Sequence, residues 1–467
     1  MACCQSHCWW WRWVVTLAAF NMIFLSLGPQ YNYSILYVSL QAEFHSGSAL
    51  TGWIGSLAGA LSCLCSPFTV LLERKLSKRA VVNLGIVLFC AGLMTTSFVP
   101  AVGYAYLTFG VLAGVGSNLM CHSSVALVLD WFVGKNFYRA SVFTVLGSTC
   151  GMLVFSPVVT ICITHYGWRD ALRILSGGIL AAGLASSAFL TNPPTEDYAA
   201  AADESLEKKQ EMETMVPAKK DPEGCTKGKN SGECGSKDNE TNEKEENIEE
   251  AEGNTVSNPG FFVLIKSIEV WLWFIGSVLA YTGWTFFNIN FASFMEGLGF
   301  SSSQVASVIM FFACGEIGGK ILIGVTGDRL PFLRVYLIFT SCSLGAVLLG
   351  LLTIVETLTS VVIVAVLSGV LRSGLYGATI AAGEQLFYQT FGANTVMVLS
   401  FVPSGVGTLI SAPLSGVLYD STGNYTLGIL VIAVLFVCAS ATFAAIPVHR
   451  KCRSRGRCGR AACSDIA

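Results

Sequence analysis

The chain has 467 residues, of which 53% are apolar and only 12% charged, whereas a soluble globular domain carries about 25% charged residues. That is too little polar surface to cover a water-soluble fold, so lipid must solvate the protein; a soluble enzyme is excluded, and nothing points to nucleic acid. The formal charge of −2 hides an uneven split: residues 195–258 hold 18 of the 30 acidic and 8 of the 28 basic residues, a net −10 that leaves +8 on the remainder.

A helix needs about 20 apolar residues to cross a hydrocarbon core of about 30 Å. In chain order, twelve runs meet that length, at residues 13–37, 51–72, 80–99, 103–128, 140–163, 169–191, 268–293, 303–325, 332–354, 358–383, 393–417 and 426–446. The first is too long for a signal-peptide core and lacks an A-x-A-like cleavage site, so it is expected to stay in the mature protein. Only Val99, Pro100 and Ala101 separate the third run from the fourth.

Lysine and arginine in short loops set orientation. With the N-terminus inside, the inner loops carry Arg74, Lys75, Lys78 and Arg79, then Lys135 and Arg139, then Arg329 and Arg334, and the tail carries Arg450, Lys451, Arg453, Arg455, Arg457 and Arg460. The outer loops offer little beyond Arg169 and Arg173, so both termini are predicted cytoplasmic. The stretch between the sixth and seventh runs is dense in Glu, Lys, Ser, Asn and Gly and cannot bury enough apolar area to fold. The predicted organisation is a six-helix bundle over 1–192, a disordered acidic cytoplasmic linker over 193–260, a second six-helix bundle over 261–447 and a basic cytoplasmic tail over 448–467. Two six-helix sets suit an all-α membrane protein whose bundles rock about a central site.

Most of the 17 cysteines fall inside apolar runs, where they act as small hydrophobes. Cys3, Cys4, Cys8, Cys452, Cys458 and Cys463 flank the first and last runs; they fit either palmitoylation or simple tolerance in a reducing cytosol. The five histidines, His7, His45, His122, His165 and His449, have no metal-ligand spacing, so no metal, cofactor or enzymatic activity is expected.

An ionisable group inside the membrane costs about 2.5–3.5 kcal/mol on insertion scales and is a functional hypothesis by default. Glu316 and Lys320 lie four apart in the eighth run, on one helix face. Glu316 is a candidate proton-coupling site, with a structural ion pair as the rival reading. Lys320 either meets substrate or snorkels to the inner interface. Arg372 is midway along the tenth run, near Tyr376, and its fork can clamp a substrate carboxylate or pair with Glu316. His122 in the fourth run either lines the cavity or bonds a neighbouring helix, and Trp284, Phe286 and Phe287 either shape a pocket or face lipid. A charged turn follows the second run of each half: Leu72-Glu73-Arg74-Lys75, and Gly324-Val325-Thr326-Gly327-Asp328-Arg329. Glu73, Arg74, Asp328 and Arg329 are candidate members of a cytoplasmic gate.

That second turn, G-x-x-G-D-R, resembles the major facilitator loop motif. Three further stretches resemble the monocarboxylate porter family of that superfamily: Trp13-Val14-Val15-Thr16-Leu17-Ala18-Ala19-Phe20, Tyr166-Gly167-Trp168-Arg169, and Trp131-Phe132-Val133-Gly134-Lys135-Asn136-Phe137-Tyr138-Arg139-Ala140 followed by Gly147 and Gly151. The two glycines form a G-x-x-x-G face that lets another helix approach closely. The sequence also departs from the family. Cys8-Trp9-Trp10-Trp11-Arg12 replaces an acid and paired glycines, Asn136 and Phe137 replace basic residues after an inserted Gly134, and Gln30 and Tyr31 stand where proton-coupled members place a lysine. Glu316 and Lys320 match an Asp and an Arg assigned to proton and carboxylate handling.

The resemblance implies the major facilitator fold and alternating-access transport of a small monocarboxylate or related organic anion, with protons as a candidate co-substrate. The expected substrate contacts are Arg372, Lys320, Tyr376, Gln30, Tyr31 and His122. It also implies a multi-pass protein of the plasma membrane, and, since some members travel with a single-span immunoglobulin-type glycoprotein, a partner of that kind. The missing lysine favours an alternative, a uniporter of a neutral or zwitterionic solute; a sensor or scaffold signalling through the acidic loop is a further one.

Overall fold

The computed structural model describes residues 2–132, 136–193, 264, 266–329, 332–355, 357–422 and 425–464. The expected linker, from residue 194 to 260, lies outside the described residues, as do Gly134 and Lys135. Every regular element among the described residues is helical, as a lipid-solvated backbone requires, since helices satisfy their own N–H and C=O groups.

Among the described residues, ten helices are long and apolar enough to cross a membrane, and a bent pair makes eleven. A single 51-residue helix divides at Gly167, whose φ of 77° and ψ of 163° are not helical, and this gives the twelfth. In chain order they are α1 (Trp10–Phe44), α2 (Leu50–Leu64 and Ser66–Glu73), α3 (Lys78–Thr96), α4 (Val102–Trp131), α5 (137–166), α6 (168–187), α7 (Ile268–Gly297), α8 (Ser303–Thr326), α9 (Val335–Leu352), α10 (Leu358–Tyr388), α11 (Asn394–Tyr419) and α12 (Thr426–Cys452). The helical backbone of α12 continues to Ser464. The short break predicted between the third and fourth spans is real: α3 ends at Thr96 and α4 begins at Val102.

The bend in α2 has a chemical cause. Its two pieces meet at 42°, and Pro67 supplies no N–H for the carbonyl of Cys63. Ser66 Oγ donates to that carbonyl instead, at 2.8 Å. Asn118 of α4 completes the repair, donating Nδ2 to the Ser62 carbonyl at 2.7 Å and to Ser66 Oγ at 3.1 Å, while Thr69 Oγ1 donates to its Oδ1 at 2.5 Å.

The helix that closes on the Gly147/Gly151 face is α1. A Cβ at Gly151 would fall 2.7 Å from the Phe24 carbonyl oxygen and 3.0 Å from Gly28 Cα, and one at Gly147 would strike the Phe20 carbonyl. Because backbone blocks the space, no side-chain rotation relieves the clash. Gly151→Val is therefore expected to destabilise the folded protein by about 1–3 kcal/mol or more and to lower its thermal midpoint in detergent. Gly178→Ala, where nothing stands within 4 Å, is expected to leave that midpoint unchanged.

In the second half the core is aromatic. Trp284 is fully buried, with Phe436 at 5.0 Å and Phe287 at 6.0 Å between ring centroids. Trp284, Phe286 and Phe287 are thus core packing, neither lipid-facing nor exposed to a cavity. Large apolar side chains such as Phe68, Ile161, Val347 and Val437 point outward, the inside-out arrangement that lipid permits.

Candidate functional site

A close helix approach builds the centre of the molecule. Gly315, Gly319 and Gly369 let α8 and α10 touch backbone to backbone: a Cβ on Gly369 would strike the Phe312 carbonyl and come within 2.9 Å of Glu316 N. This intimacy sets Arg372 of α10 against Glu316 of α8. The pair is closed by Lys320, one turn along α8, whose Nζ lies 2.8 Å from Glu316 Oε1. Arg372 Nη1 donates to the other carboxylate oxygen, Oε2. The three side chains are 0–5% exposed, so the ionic cluster is buried, and Lys320 does not snorkel.

The cluster is completed from the other half of the chain. Thr149 Oγ1 of α5 donates to Glu316 Oε1 at 3.0 Å and accepts from Lys320 Nζ at 2.6 Å, with Ser148 Oγ at 3.4 Å from the same ammonium. These bonds join α5 to α8 across the line where rocking bundles would part. Sequence reading missed Ser148 and Thr149. The signal was their place inside the Gly147–Gly151 interval, where α5 runs close to its neighbours.

Aromatic rings frame the guanidinium. Arg372 Cζ sits 4.4 Å from the centroid of Tyr376 and 5.7 Å from that of Phe312, favourable cation–π positions. Tyr281 packs edge-on against Tyr376 at 5.1 Å and donates to Thr379 Oγ1 at 3.1 Å. Tyr31 of α1 stands within electrostatic reach of Arg372 and Tyr376. Arg372 Nε is buried and has no hydrogen-bond partner.

The remaining predicted site residues lie elsewhere. Gln30 is buried on α1, accepts from Ser117 Oγ at 3.4 Å and leaves its Nε2 without a partner. His122 faces Glu73, Nδ1 to Oε1 at 3.5 Å, and its ring meets Phe401 of α11 at 5.6 Å. Glu73 therefore turns inward, while Arg74 and Arg329 are exposed; the side chain of Asp328 lies outside the described residues. At the end of the bundle that carries the termini, the halves meet through Tyr138. Gly327 abuts its ring, Arg334 Cζ lies 5.0 Å above the ring, and Arg139 Nη2 donates to the Val325 carbonyl at 3.4 Å.

Twelve membrane-length helices with an ionic cluster at the meeting of two halves are the architecture of a solute carrier, and comparison with known proteins identifies which. The sequence profile of the Major Facilitator Superfamily matches residues 18–397 and 273–457. The chain belongs to that superfamily. Within it, the protein is a divergent member of the monocarboxylate transporter family: Monocarboxylate transporter 13 of Bos taurus is 23% identical over 457 residues, covering 94% of this chain and 89% of its own. Solved structures show the same fold. The E. coli fucose:proton symporter FucP aligns with a TM-score of 0.62 at 14% identity, over 92% of this chain and 98% of its own. The proton:xylose symporter XylE aligns with a TM-score of 0.66 at 11% identity, over 92% and 94%. This monocarboxylate transporter family member is thus a multi-pass membrane transporter, and the ionic cluster occupies the centre of a transporter fold.

Proposed function

We propose that the protein carries a small organic monocarboxylate across the membrane by alternating access, with Arg372 holding the anion. The observation that carries this reading is the charge of the buried cluster. Glu316 contributes one negative charge and Lys320 and Arg372 two positive ones, so among the described residues the cluster holds one positive charge in excess, with side chains at most 5% exposed. An uncompensated buried charge costs several kcal/mol, and one monovalent anion removes it. The unpartnered Arg372 Nε supports the same assignment, because a guanidinium edge with a free donor accepts a carboxylate in a bidentate fork.

The anion takes the edge that carries the free Nε and shares the guanidinium charge with Glu316, which favours a proton on Glu316, so that anion and proton move together; the fold neighbours FucP and XylE, named as proton symporters, agree with this coupling. Tyr376, Phe312 and Tyr31 offer an aromatic wall for the apolar part of the solute, and Lys320 holds Glu316 in place. The lysine and arginine asymmetry of the loops supports cytoplasmic termini, and family likeness supports a plasma-membrane location and a single-span immunoglobulin-type partner. One observation favours a second reading, transport of a neutral or zwitterionic solute: Gln30 and Tyr31 provide no cation on α1.

The test is uptake of a labelled panel (lactate, pyruvate, carnitine and aromatic amino acids) into cells expressing the protein, at two external pH values and with surface delivery verified. Saturable uptake of a monocarboxylate, increased by an inward proton gradient, is the expected result. Uptake of the zwitterions alone, without pH dependence, would favour the second reading. Normal surface delivery with no flux of any member would overturn the transport assignment for these solutes and favour a sensor.

A further inference from the structure

A second polar cluster lies in the first half, away from Arg372. Glu73 ends α2 with its side chain 5% exposed, and His122 of α4 is fully buried beside it. Their 3.5 Å separation is a contact without a made hydrogen bond. Both oxygens of Glu73, both ring nitrogens of His122, and the hydroxyls of the next two residues, Ser123 and Ser124, are buried without hydrogen-bond partners. One turn earlier on the same helix, by contrast, Asn118 is bonded to Ser62, Ser66 and Thr69. Each unsatisfied buried polar group costs about 1–3 kcal/mol, so six of them within one turn of α4 and the end of α2 mark a place that holds something. The donors and acceptors suit water and a proton, and a carboxylate beside an imidazole has vacancies for both.

We propose that Glu73 and His122 form a proton-binding site, separate from Glu316, that is opened and closed by the movement of α11. Its lid is Phe401, whose ring covers His122 at 5.6 Å and belongs to the other half of the chain. Parting of the halves at the end that carries the termini withdraws Phe401 and admits water to the pair. A carboxylate and an imidazole hold protons differently in a dry site and in a wet one, so the alternating-access movement on which this inference rests becomes a proton-binding or proton-releasing step. The charged groups facing the pair are Lys78 of α3 and Asp130 of α4, which are paired with each other, Lys78 also donating to the Ala126 carbonyl at 3.4 Å; α11 presents the apolar ring of Phe401. The proton comes from water on one side and returns to water on the other, and no other bond is made or broken.

The experiment is an infrared and NMR titration of the full-length protein in lipid vesicles, with no substrate present, so that its failure is independent of the uptake assay. Across about pH 3 to 8, which spans the ordinary ranges of a carboxyl and an imidazole, wild type is expected to show a carboxyl protonation signal that disappears in Glu73→Gln, persists in the double variant Glu316→Gln with Lys320→Gln, and moves by about one pH unit or more in His122→Asn. If Glu73→Gln does not fold, histidine labelled with nitrogen-15 gives the second readout. The resonance assigned to His122 by its loss in His122→Asn is expected to titrate in wild type and to shift in Phe401→Ala. A carboxyl signal unchanged in Glu73→Gln, or a His122 resonance that does not titrate, would overturn the proposal.

Discussion

Arg372→Ala is expected to reduce monocarboxylate uptake by at least about 100-fold with surface delivery intact, the equivalent of about 3 kcal/mol. Two losses combine. The substrate carboxylate loses its only bidentate partner, and Glu316 loses the hydrogen bond from Nη1 that holds Oε2. Arg372→Lys separates the two, because an ammonium keeps the charge and gives up the fork. It is expected to keep measurable transport with a raised apparent KM, since the site still carries its excess positive charge. Equal loss in both variants would instead place the need on the planar guanidinium stacked over Tyr376 at 4.4 Å. Initial-rate uptake over a range of substrate concentrations reads both outcomes.

The second large effect is a test of charge parity. Glu316→Gln leaves Arg372 and Lys320 facing each other with two uncompensated positive charges, and breaking a buried ion pair in this way costs about 3–5 kcal/mol. A steep fall in thermal midpoint and in surface delivery is expected. Lys320→Gln has the opposite sign: the pair of Glu316 and Arg372 is neutral, so stability is nearly kept while affinity for an anion falls. Combining Glu316→Gln with Lys320→Gln restores the single excess positive charge of wild type. The double variant is expected to recover stability relative to Glu316→Gln alone, with a coupling energy of about 0.5–3 kcal/mol in the double-mutant cycle. It is also expected to bind anion and to lose dependence on the proton gradient, because no carboxylate remains in the cluster. Additive destabilisation in the double variant would contradict the charge argument.

The span count was legible because about 20 consecutive apolar residues leave no other fold open, and the charged and turn residues between runs mark where chain meets water. Helix ends were legible only to within a few residues: α4 reaches Trp131 and carries a π-helical stretch over Tyr106–Ala113, for which apolar periodicity gives no sign. Glu316 and Lys320 follow from their four-residue spacing on one helix. The partnership of Arg372 with Glu316 was one of two readings the sequence left open, because it depends on how closely α8 approaches α10 at Gly315, Gly319 and Gly369. Thr149 was invisible for a different reason. A threonine within a membrane helix ordinarily bonds its own backbone, as Thr144 does to the Ala140 carbonyl at 2.7 Å, and only the tertiary structure shows that this one reaches across the halves. Trp284 was left between pocket and lipid because aromatic rings do both, whereas the structure packs it in the core. Glu73 shows how a loop motif can conceal a buried group: in the sequence it reads as part of a basic turn, whereas its side chain folds back beneath α4 to His122.

The central claim, that the buried cluster recognises one negative charge, is tested most directly by competition in proteoliposomes. Uptake of a labelled monocarboxylate found in the panel would be measured against three unlabelled competitors of matched size: a monocarboxylate, its uncharged amide and the corresponding dicarboxylate. The charge of the cluster predicts inhibition by the monocarboxylate, with at least about tenfold weaker inhibition by the amide and by the dicarboxylate, a difference of about 1.4 kcal/mol or more. Equal inhibition by the amide and the monocarboxylate would contradict it, since the excess positive charge around Arg372 would then take no part in recognition.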